Sequence, residues 1–292
     1  MSILHPIIAV TGSSGSGTST VSKSFEWIFL RERVLAARVE GDAFHRYDRT
    51  EMHALIEQAE QVGERGPSHF GLAANHLDRL EALFEEYGRA GTGQRRSYLH
   101  DDADALAAGL PGGSFTPWEP LPEPTDLLFY EGLHGGVVTD QIDIARHVDL
   151  LIGVVPIINL EWIQKIHRDT RVRGYSLEAV QDTILRRMED YVHVVVPQFS
   201  RTHVNFQRVP MVDTSNPFIV REVPSADETL VVIRFRDPRD VDFPYLLQMI
   251  DGAWMSRINT VVVPGGKLDL AMQIILTPLI LGLLERRAQA RP

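Results

Sequence analysis

The chain has 292 residues, of which 44% are hydrophobic, 23% charged and 8% aromatic, a composition typical of globular proteins. This composition excludes a largely disordered chain, a collagen-like fibre and a coiled coil. The 29 Lys and Arg against 39 Asp and Glu leave a net charge of −10, which disfavours a general nucleic-acid-binding protein. Because the chain has no cysteine, disulfides, thiolate zinc sites, Cys nucleophiles and thiol redox switches are excluded.

The sequence predicts a soluble protein without a membrane partner. The first ten residues lack the basic start and the long apolar run of a signal peptide. The most apolar segment, 274–284, is about half as long as the roughly twenty residues that cross a bilayer, and it contains Thr277 and Pro278. We therefore expect a cytoplasmic protein in which this segment is a buried C-terminal helix.

Apolar runs and helical periodicity alternate along the chain. Buried strands are predicted at 7–10, 127–130, 150–155, 192–196, 209–212, 230–235 and 260–263. Helices are predicted at 18–33, 75–87, 160–168, 177–191 and 267–287. This alternation indicates an α/β fold with a largely parallel sheet. Two segments rich in Gly, Pro and charge, 63–71 and 88–124, are expected to be surface excursions around the mouth of a site, within a single domain spanning 1–292.

The first strand leads into a glycine-rich turn and a helix. Gly12 and Gly17 have the spacing of the phosphate-binding loop G-x-x-x-x-G-K-[ST], whose backbone N–H groups surround phosphate oxygens at a helix N-terminus. Ser19 occupies the position that ligates Mg²⁺, whereas Thr18 stands where the motif has lysine. A Gly/Ser turn without a ligand is the structural alternative. The residues predicted to bind the nucleotide are Gly12, Ser13, Ser14, Gly15, Ser16, Gly17, Thr18, Ser19 and Thr20.

Three acids stand where a site of this fold needs them. Ligands bind beyond the carboxyl ends of the strands in open α/β sheets, and phosphoryl transfer needs metal ligands and a group that orients or deprotonates the attacking hydroxyl. Asp42 follows the second short apolar run and has His45 and Arg49 nearby in sequence, while Glu131 ends the strand 127–130. A helix N-cap is the structural alternative for Asp42. Asp169 is the third acid.

The densest charged segment is KIHRDTRVRGYSLE (165–178). Lys165 and Arg168 share a helix face if the helix continues that far, Gly174 ends it, and Ser176 can cap the next helix. Arginines suit bidentate phosphate binding and stabilise charge on a transferring phosphoryl group. Alternatively, this segment is a solvated helix end whose cations interact with the helix dipole.

The segment 165–178, together with several others, resembles phosphoribulokinases. Residues 165–178 fit the family signature K-[LIVM]-x-R-D-x-x-x-R-G-x-[ST]-x-E at every defined position. Further segments resemble the same family: GSSGSGTST (12–20), EGDAFHR (40–46), FYEGLHG (129–135), NLEWIQ (159–164) and VDTSNPF (212–218). The resemblance covers essentially the whole chain and is closest to the short bacterial form, which shares Thr18 at the lysine position. It implies a P-loop fold like that of the NMP kinases, with a mostly parallel mixed sheet flanked by helices.

The resemblance also implies a reaction and a set of roles. ATP and D-ribulose 5-phosphate would give ribulose 1,5-bisphosphate and ADP with Mg²⁺, in the reductive pentose phosphate (Calvin) cycle. It makes Asp42 the catalytic base and puts Glu131 near the metal, beside Ser19. Residues that would handle the sugar phosphate or the transferring phosphoryl are His45, Arg49, Arg168 and Arg173, while Lys165 would act on the nucleotide phosphates. The sequence leaves open which of Asp42 and Asp169 removes the proton and which touches the metal.

Assembly and regulation are likewise implied by the resemblance. The short bacterial form is a homo-oligomer, usually an octamer, that NADH activates as an allosteric ligand and AMP inhibits. We place effector contacts at Arg31, Arg234 and Arg257, for which ordinary surface arginines or interface ion pairs are the alternative.

Two other functions remain as alternatives. One is a uridine or pantothenate kinase, but such enzymes keep a lysine in the loop and their acceptors carry no sugar phosphate that needs clustered arginines. The other is a non-catalytic nucleotide sensor, which would bind ATP without consuming ribulose 5-phosphate.

Overall fold

The computed structural model describes residues 3–13, 18–100, 102–155, 157–220 and 222–290. In chain order, its strands are β1 (Ile7–Gly12), β2 (Ala36–Glu40), β3 (Gln94–Arg95), β4 (Glu119–Pro120), β5 (Leu127–Gly132), β6 (Leu150–Val155), β7 (Val204–Pro210), β8 (Thr229–Phe235), β9 (Trp254–Arg257) and β10 (Thr260–Pro264). Its α-helices are α1 (Thr18–Glu32), α2 (Arg49–Gln61), α3 (Leu77–Ala90), α4 (Asp102–Ala108), α5 (Ile158–Arg171), α6 (Leu177–Asp190), α7 (Phe243–Met249) and α8 (Leu268–Ala290).

An eight-stranded mixed sheet organises the fold. Its strand order is β2-β5-β1-β6-β7-β8-β10-β9, while β3 and β4 form a separate antiparallel pair. The five strands from β2 to β7 are parallel, and the remaining three continue the sheet with antiparallel pairing. The prediction of a mostly parallel mixed sheet flanked by helices is therefore confirmed.

Apolar clusters lie on both faces of the sheet. On one face, α1, α7 and α8 pack against the strands, with Phe25 and Met272 among the fully buried side chains. On the other face, α3 covers β1, β2 and β5, where Phe84 lies against Tyr130. Strands covered on both faces read as continuous apolar runs, which is why β1, β5 and β6 could be predicted without alternation.

The predicted strand 192–196 is wrong, because these residues lie in a helical extension of α6. A π-helical turn spans Tyr191–Val195, and a 3-10 helix follows over Val196–Ser200. Tyr191, Val195 and Phe199 are buried together at a spacing of four residues, whereas Val192 and Val196 are exposed. Packing at a helical period thus outweighs the strand preference of a valine run.

Other boundaries shift for similar reasons. The strand predicted at 209–212 is β7, which begins at Val204 and ends at Pro210, and Met211 and Val212 are exposed beyond it. Polar residues such as Gln207 interrupt its apolar run. The sequence analysis also missed α2, although Asp48 and Glu51 form a capping box at its start. It missed α4, α7 and β9 as well.

The C-terminal helix α8 is part of the core. By length and composition it could cross a membrane. However, Met272, Leu276 and Ile280 are fully buried, and the helix packs on α1 and on the sheet. Arg287 near its end donates to Leu4 O at 3.0 Å and to Asp126 Oδ1 at 2.6 Å. These contacts attach the end of α8 to the residues that precede β1 and β5.

Candidate active site

Three neighbouring strands bring the predicted acids and the phosphate-binding loop to one edge of the sheet. Because β5 lies between β1 and β2, Glu131 is paired with Val10 on one side and with Glu40 on the other. The loop leaves β1 after Gly12, and Asp42 follows β2 by two residues. Ligands of open α/β sheets bind beyond the carboxyl ends of the strands, so this edge is the candidate active site.

The predicted loop has the required strand–loop–helix context. Gly12 ends β1, Ser13 is fully buried, and α1 begins with Thr18, Ser19 and Thr20. Four further residues predicted to bind the nucleotide, Ser14, Gly15, Ser16 and Gly17, lie outside the described residues. The individual roles in the loop stay predictions.

Asp42 lies in a 3-10 turn, Gly41–Phe44, directly after β2. Glycine is required before it, because a Cβ at Gly41 would lie 2.6 Å from the Tyr130 hydroxyl and 2.7 Å from the Gly132 Cα. The Asp42 side chain is 39% exposed, and its two carboxylate oxygens each lie 3.3 Å from a histidine, His45 or His100. Partial burial opposes ionisation, but the hydrogen bond and the charges of these histidines outweigh it and lower the pKa of Asp42 below its usual range. Asp42 is therefore an accessible, ionised carboxylate.

Asn75 fixes the orientation of the His45 ring. The Asn75 side-chain nitrogen donates to His69 O at 2.9 Å and to Gly71 O at 2.6 Å, which leaves its oxygen as the acceptor for His45 Nδ1 at 2.7 Å. His45 Nε2 faces Asp42. Both ring nitrogens of His45 therefore face acceptors. The buried ring is thereby held next to an accessible carboxylate.

Two further histidines near Asp42 are neutral. The His69 ring stacks on His45 with the centroids 3.8 Å apart, and burial together with the charge of His45 lowers the pKa of His69 to about 2. Burial also lowers the pKa of His134 to about 4, despite its hydrogen bond to Phe70 O at 3.1 Å. At neutral pH these rings pack beside the site without adding charge.

The predicted basic segment folds around Asp169 on α5. Lys165 donates to one carboxylate oxygen of Asp169. Arg168 Nε and Arg173 Nη1 donate to the other at 2.9 and 3.3 Å. α5 ends at Arg171, after which Gly174 takes a left-handed φ of 74°. The predicted stop at Gly174 is thus confirmed, as is the predicted cap, Ser176, whose hydroxyl accepts from the backbone at the start of α6.

The pKa values of Asp169 and Lys165 in this cluster are both lowered, but for different reasons. The Asp169 side chain is 5% exposed. Burial alone would raise its pKa, but the hydrogen bonds from Lys165 and Arg168 lower the pKa below the usual value. Burial and the charge of Arg187 lower the pKa of Lys165 to about 8, and the hydrogen bond that Lys165 donates to Asp169 opposes this shift. The arrangement holds three cations in place with one buried carboxylate.

Glu131 is the described carboxylate best placed for Mg²⁺. It is the penultimate residue of β5, beside the loop, and it accepts a hydrogen bond from Ser22, one turn into α1. Within the described residues, no group of three or more His, Asp or Glu is arranged to hold a metal ion. Mg²⁺ usually takes one or two carboxylates and completes its shell with water and substrate phosphates, so this sparse oxygen donor set fits it.

Both surface excursions contribute to the surroundings of Asp42. His69 comes from the first excursion, and Tyr98 and His100 come from the second. Arg49 at the start of α2 donates to His100 O at 2.7 Å and is hydrogen-bonded to Tyr98. The structure therefore brings His45 and Arg49, both predicted to bind the substrate, to the Asp42 side of the site.

Comparisons with known proteins agree with this geometry. Residues 7–215 match the model of the phosphoribulokinase / uridine kinase family. A phosphoribulokinase of Cupriavidus necator is 61% identical over 99% of both chains. One of Nitrobacter vulgaris is 59% identical over 98% of this chain and 99% of its own. The chain belongs to the phosphoribulokinase / uridine kinase family. The resemblance in the sequence is confirmed, and the chain is a kinase, a phosphotransferase with an alcohol acceptor.

A solved structure supports the same fold. The phosphoribulokinase from Rhodobacter spheroides superposes with a TM-score of 0.90 at 57% identity, covering 98% of this chain and 100% of that one. The predicted P-loop kinase fold is thereby confirmed for this member of the family.

Two residues beside this site were missed in the sequence. The Arg187 guanidinium lies 5.2 Å from the Phe70 ring, and burial together with Arg186 lowers its pKa to about 10, although Asp169 and Asp42 raise it. Glu161, which precedes Lys165 by one helical turn, is 5% exposed. The i, i+4 spacing from Lys165 was the only signal for Glu161, and Arg187 gave none because it lies among other charges of α6.

The three arginines predicted to bind effectors lie outside this edge. Arg234 on β8 and Arg257 on β9 both pair with Thr260 of β10, one from each side of that strand. Arg31 instead lies between α1 and α8, where it donates to Gln273 and Thr277 at 3.3 and 2.8 Å. Within one chain, Arg31 and the other two arginines thus lie on different layers.

Proposed function

We propose that the protein phosphorylates D-ribulose 5-phosphate with ATP by in-line phosphoryl transfer, giving ribulose 1,5-bisphosphate in the Calvin cycle. The observation that carries this proposal is the accessible, ionised carboxylate of Asp42, with His45 Nε2 at 3.3 Å, at the edge where the phosphate-binding loop begins. Relatives that match over almost their whole length and are named phosphoribulokinases support the same substrate. A uridine kinase has no sugar phosphate to neutralise.

Asp42 is the general base of the proposed mechanism. It accepts the proton of the attacking primary hydroxyl as the bond to the γ-phosphorus forms. Its low pKa suits a transfer in which the proton leaves late, because most of the rate enhancement comes from positioning and charge neutralisation. Asp169 is already occupied by three cations, so its exposure and partners favour a supporting role.

The basic residues divide between the two substrates. His45 and Arg49 lie on the Asp42 side and bind the sugar phosphate together with Arg173. Lys165 acts on the nucleotide phosphates and Arg168 on the transferring phosphoryl, where lysine and arginine neutralise developing charge.

In this proposal, Glu131 and Ser19 would hold Mg²⁺, which would supply charge neutralisation on the phosphates of ATP. The oxygen donor of Glu131 and its place beside the loop support this assignment.

The resemblance supports three further proposals about the protein in the cell. The protein is a cytoplasmic homo-oligomer, and the octamer usual for the short bacterial form is the size that we propose. NADH activates it as a ligand without being oxidised, and AMP inhibits it. Arg31, Arg234 and Arg257 are the effector contacts, and shared subunit interfaces would couple them to the site.

Parallel ADP-release assays with ribulose 5-phosphate, uridine and pantothenate test the substrate assignment. We expect ADP release with ribulose 5-phosphate alone. Consumption of uridine or pantothenate instead would contradict the proposal, as would ATP binding without turnover of any acceptor.

Initial rates at limiting ATP, with and without NADH, test the regulatory proposal. A rate indifferent to NADH would remove it. An unaltered response in Arg234→Ala would remove only that residue assignment.

A further inference from the structure

Three charged residues lie on one buried face of α5 at a spacing of four. The exposed fraction of the whole residue is 5% for Glu161, 8% for Lys165 and 4% for Asp169. Residues i and i+4 lie one above the other on a helix, so the cation has a carboxyl group on each side. Lys165 donates to Asp169, which leaves Glu161 as the carboxyl group that the mechanism does not use.

Glu161 links this helix face to the phosphate-binding loop. Ser13, the second residue of the loop, lies beside its carboxyl group and lowers the pKa of that group. Its Oε2 atom is buried and has no hydrogen-bond partner within the part of the chain that the structure describes. A buried carboxylate oxygen without a donor is unfavourable as a charge, and a proton on that oxygen removes the cost.

The groups around Glu161 come from four segments. Lys165 and Arg168 face it from its own helix, Arg187 faces it from α6, Tyr191 faces it from the turn after α6, and Ser13 faces it from the loop. Burial raises the pKa of Glu161 to about 7, although Ser13 and the three cations lower it. The carboxyl group is therefore close to half-protonated at neutral pH.

We propose that Glu161 is a positioning residue that takes up a proton when nucleotide phosphates bind the loop, so that protonated Glu161 is the form that accepts the nucleotide. This inference rests on the proposed nucleotide site. Phosphates bring negative charge towards a buried carboxylate, and a like charge favours the neutral acid. The proton comes from solvent and bonds to Oε2, and no other bond changes. Neutral Glu161 then leaves Lys165 free of a competing carboxylate on its loop side.

Calorimetric titration of the enzyme with the magnesium complex of ADP tests the proposal. Titrations at pH 7 in two buffers with different ionisation enthalpies give the number of protons taken up per site. We expect wild type to take up about half a proton more than Glu161→Gln, because a group with a pKa of about 7 is half-protonated at pH 7. The difference between wild type and Glu161→Gln removes the protons that the nucleotide itself takes up or releases on binding. Asp182→Asn, an exposed carboxylate on α6, is the matched control and should behave as wild type.

The pH dependence of KM for ATP gives a second readout. The wild-type KM should rise about tenfold between pH 6 and pH 8, following loss of the proton from Glu161. In Glu161→Gln, the only remaining rise in KM for ATP should be the one caused by deprotonation of Lys165, whose pKa is about 8. Ser13→Ala removes a hydroxyl group that lowers the pKa of Glu161, so it should move the midpoint of proton uptake to higher pH.

The outcomes separate this inference from the proposed function. Equal proton uptake in wild type and Glu161→Gln, or proton release in wild type, overturns the role of Glu161 and leaves the nucleotide site intact. If wild type binds no magnesium ADP, the nucleotide site itself fails and the inference with it. If Glu161→Gln does not fold, an unchanged midpoint in Ser13→Ala overturns the inference.

Discussion

Asp42 and Asp169 are carboxylates of the same site whose surroundings suit them to different tasks. Asp42 is 39% exposed and touches two histidines, which leaves its oxygens accessible to a hydroxyl group. The Asp169 side chain is 5% exposed and accepts hydrogen bonds from three cations, which occupy both of its oxygens. Both have lowered pKa values, so ionisation does not distinguish them. Access and the number of bound donors do, and these come from tertiary structure.

The largest effect is expected at Asp42. Asp42→Asn should lower kcat roughly 10²–10⁴-fold, since a general base contributes about that much, while nucleotide binding and fold are retained. Steady-state kinetics and magnesium ADP titration check this, with Asp78→Asn, an exposed carboxylate on α3, as the control. If Asp42→Asn keeps more than about a tenth of the wild-type kcat and Asp169→Asn loses far more, the two roles are reversed.

Asp169→Asn should instead change the pH profile. Without this carboxylate, the buried ammonium of Lys165 loses its stabilising partner, and its pKa falls from about 8. Because Lys165 acts as a cation, activity that depends on it is present below that pKa and lost as pH rises through it. We therefore expect the alkaline limb of kcat to move to lower pH, together with about a tenfold to 100-fold loss at pH 7.5. An alkaline limb that stays in place would show that Asp169 does not hold Lys165 charged.

The cations around each carboxylate should separate in their kinetics. Alanine at His45, Arg49 or Arg173 should raise KM for ribulose 5-phosphate more than KM for ATP, by about tenfold or more. Lys165→Met and Arg168→Ala should mainly lower kcat, because their contacts strengthen as charge moves in the transition state. The opposite pattern would move the first group to the nucleotide side. Arg173 is the most informative, since it binds Asp169.

A smaller effect is expected at Asn75, which touches neither carboxylate. Asn75→Ala removes the acceptor for His45 Nδ1, so the ring loses the contact that fixes its orientation. We expect KM for ribulose 5-phosphate to rise about threefold to tenfold with little change in KM for ATP. Asn75→Asp keeps an acceptor and should recover part of the loss. Equal losses in both variants would mean that Asn75 acts through the loop carbonyls alone.

The chemistry of this site could be read from the sequence where the residues are local. The loop, Asp42, Glu131 and the segment 165–178 each stand in a short motif, and α5 and α6 begin and end near the predicted residues. Glu161 was visible only as a residue one turn before Lys165. Asn75, His69 and His100 were missed because the side chains that they contact, His45 and Asp42, are 24 to 58 residues away in the chain, where no periodicity connects them.

The sequence by itself determined the α/β class, most strands and helices, and the family, because buried runs, helical periods and a phosphate-binding motif are local properties. Only the tertiary structure decided that the valines at 192–196 are helical, since their neighbours Tyr191 and Phe199 pack into a core that forms from distant residues. It also decided which of two similar aspartates is accessible. Burial and the number of hydrogen-bond donors depend on which segments meet in space, and the amino-acid type does not specify them.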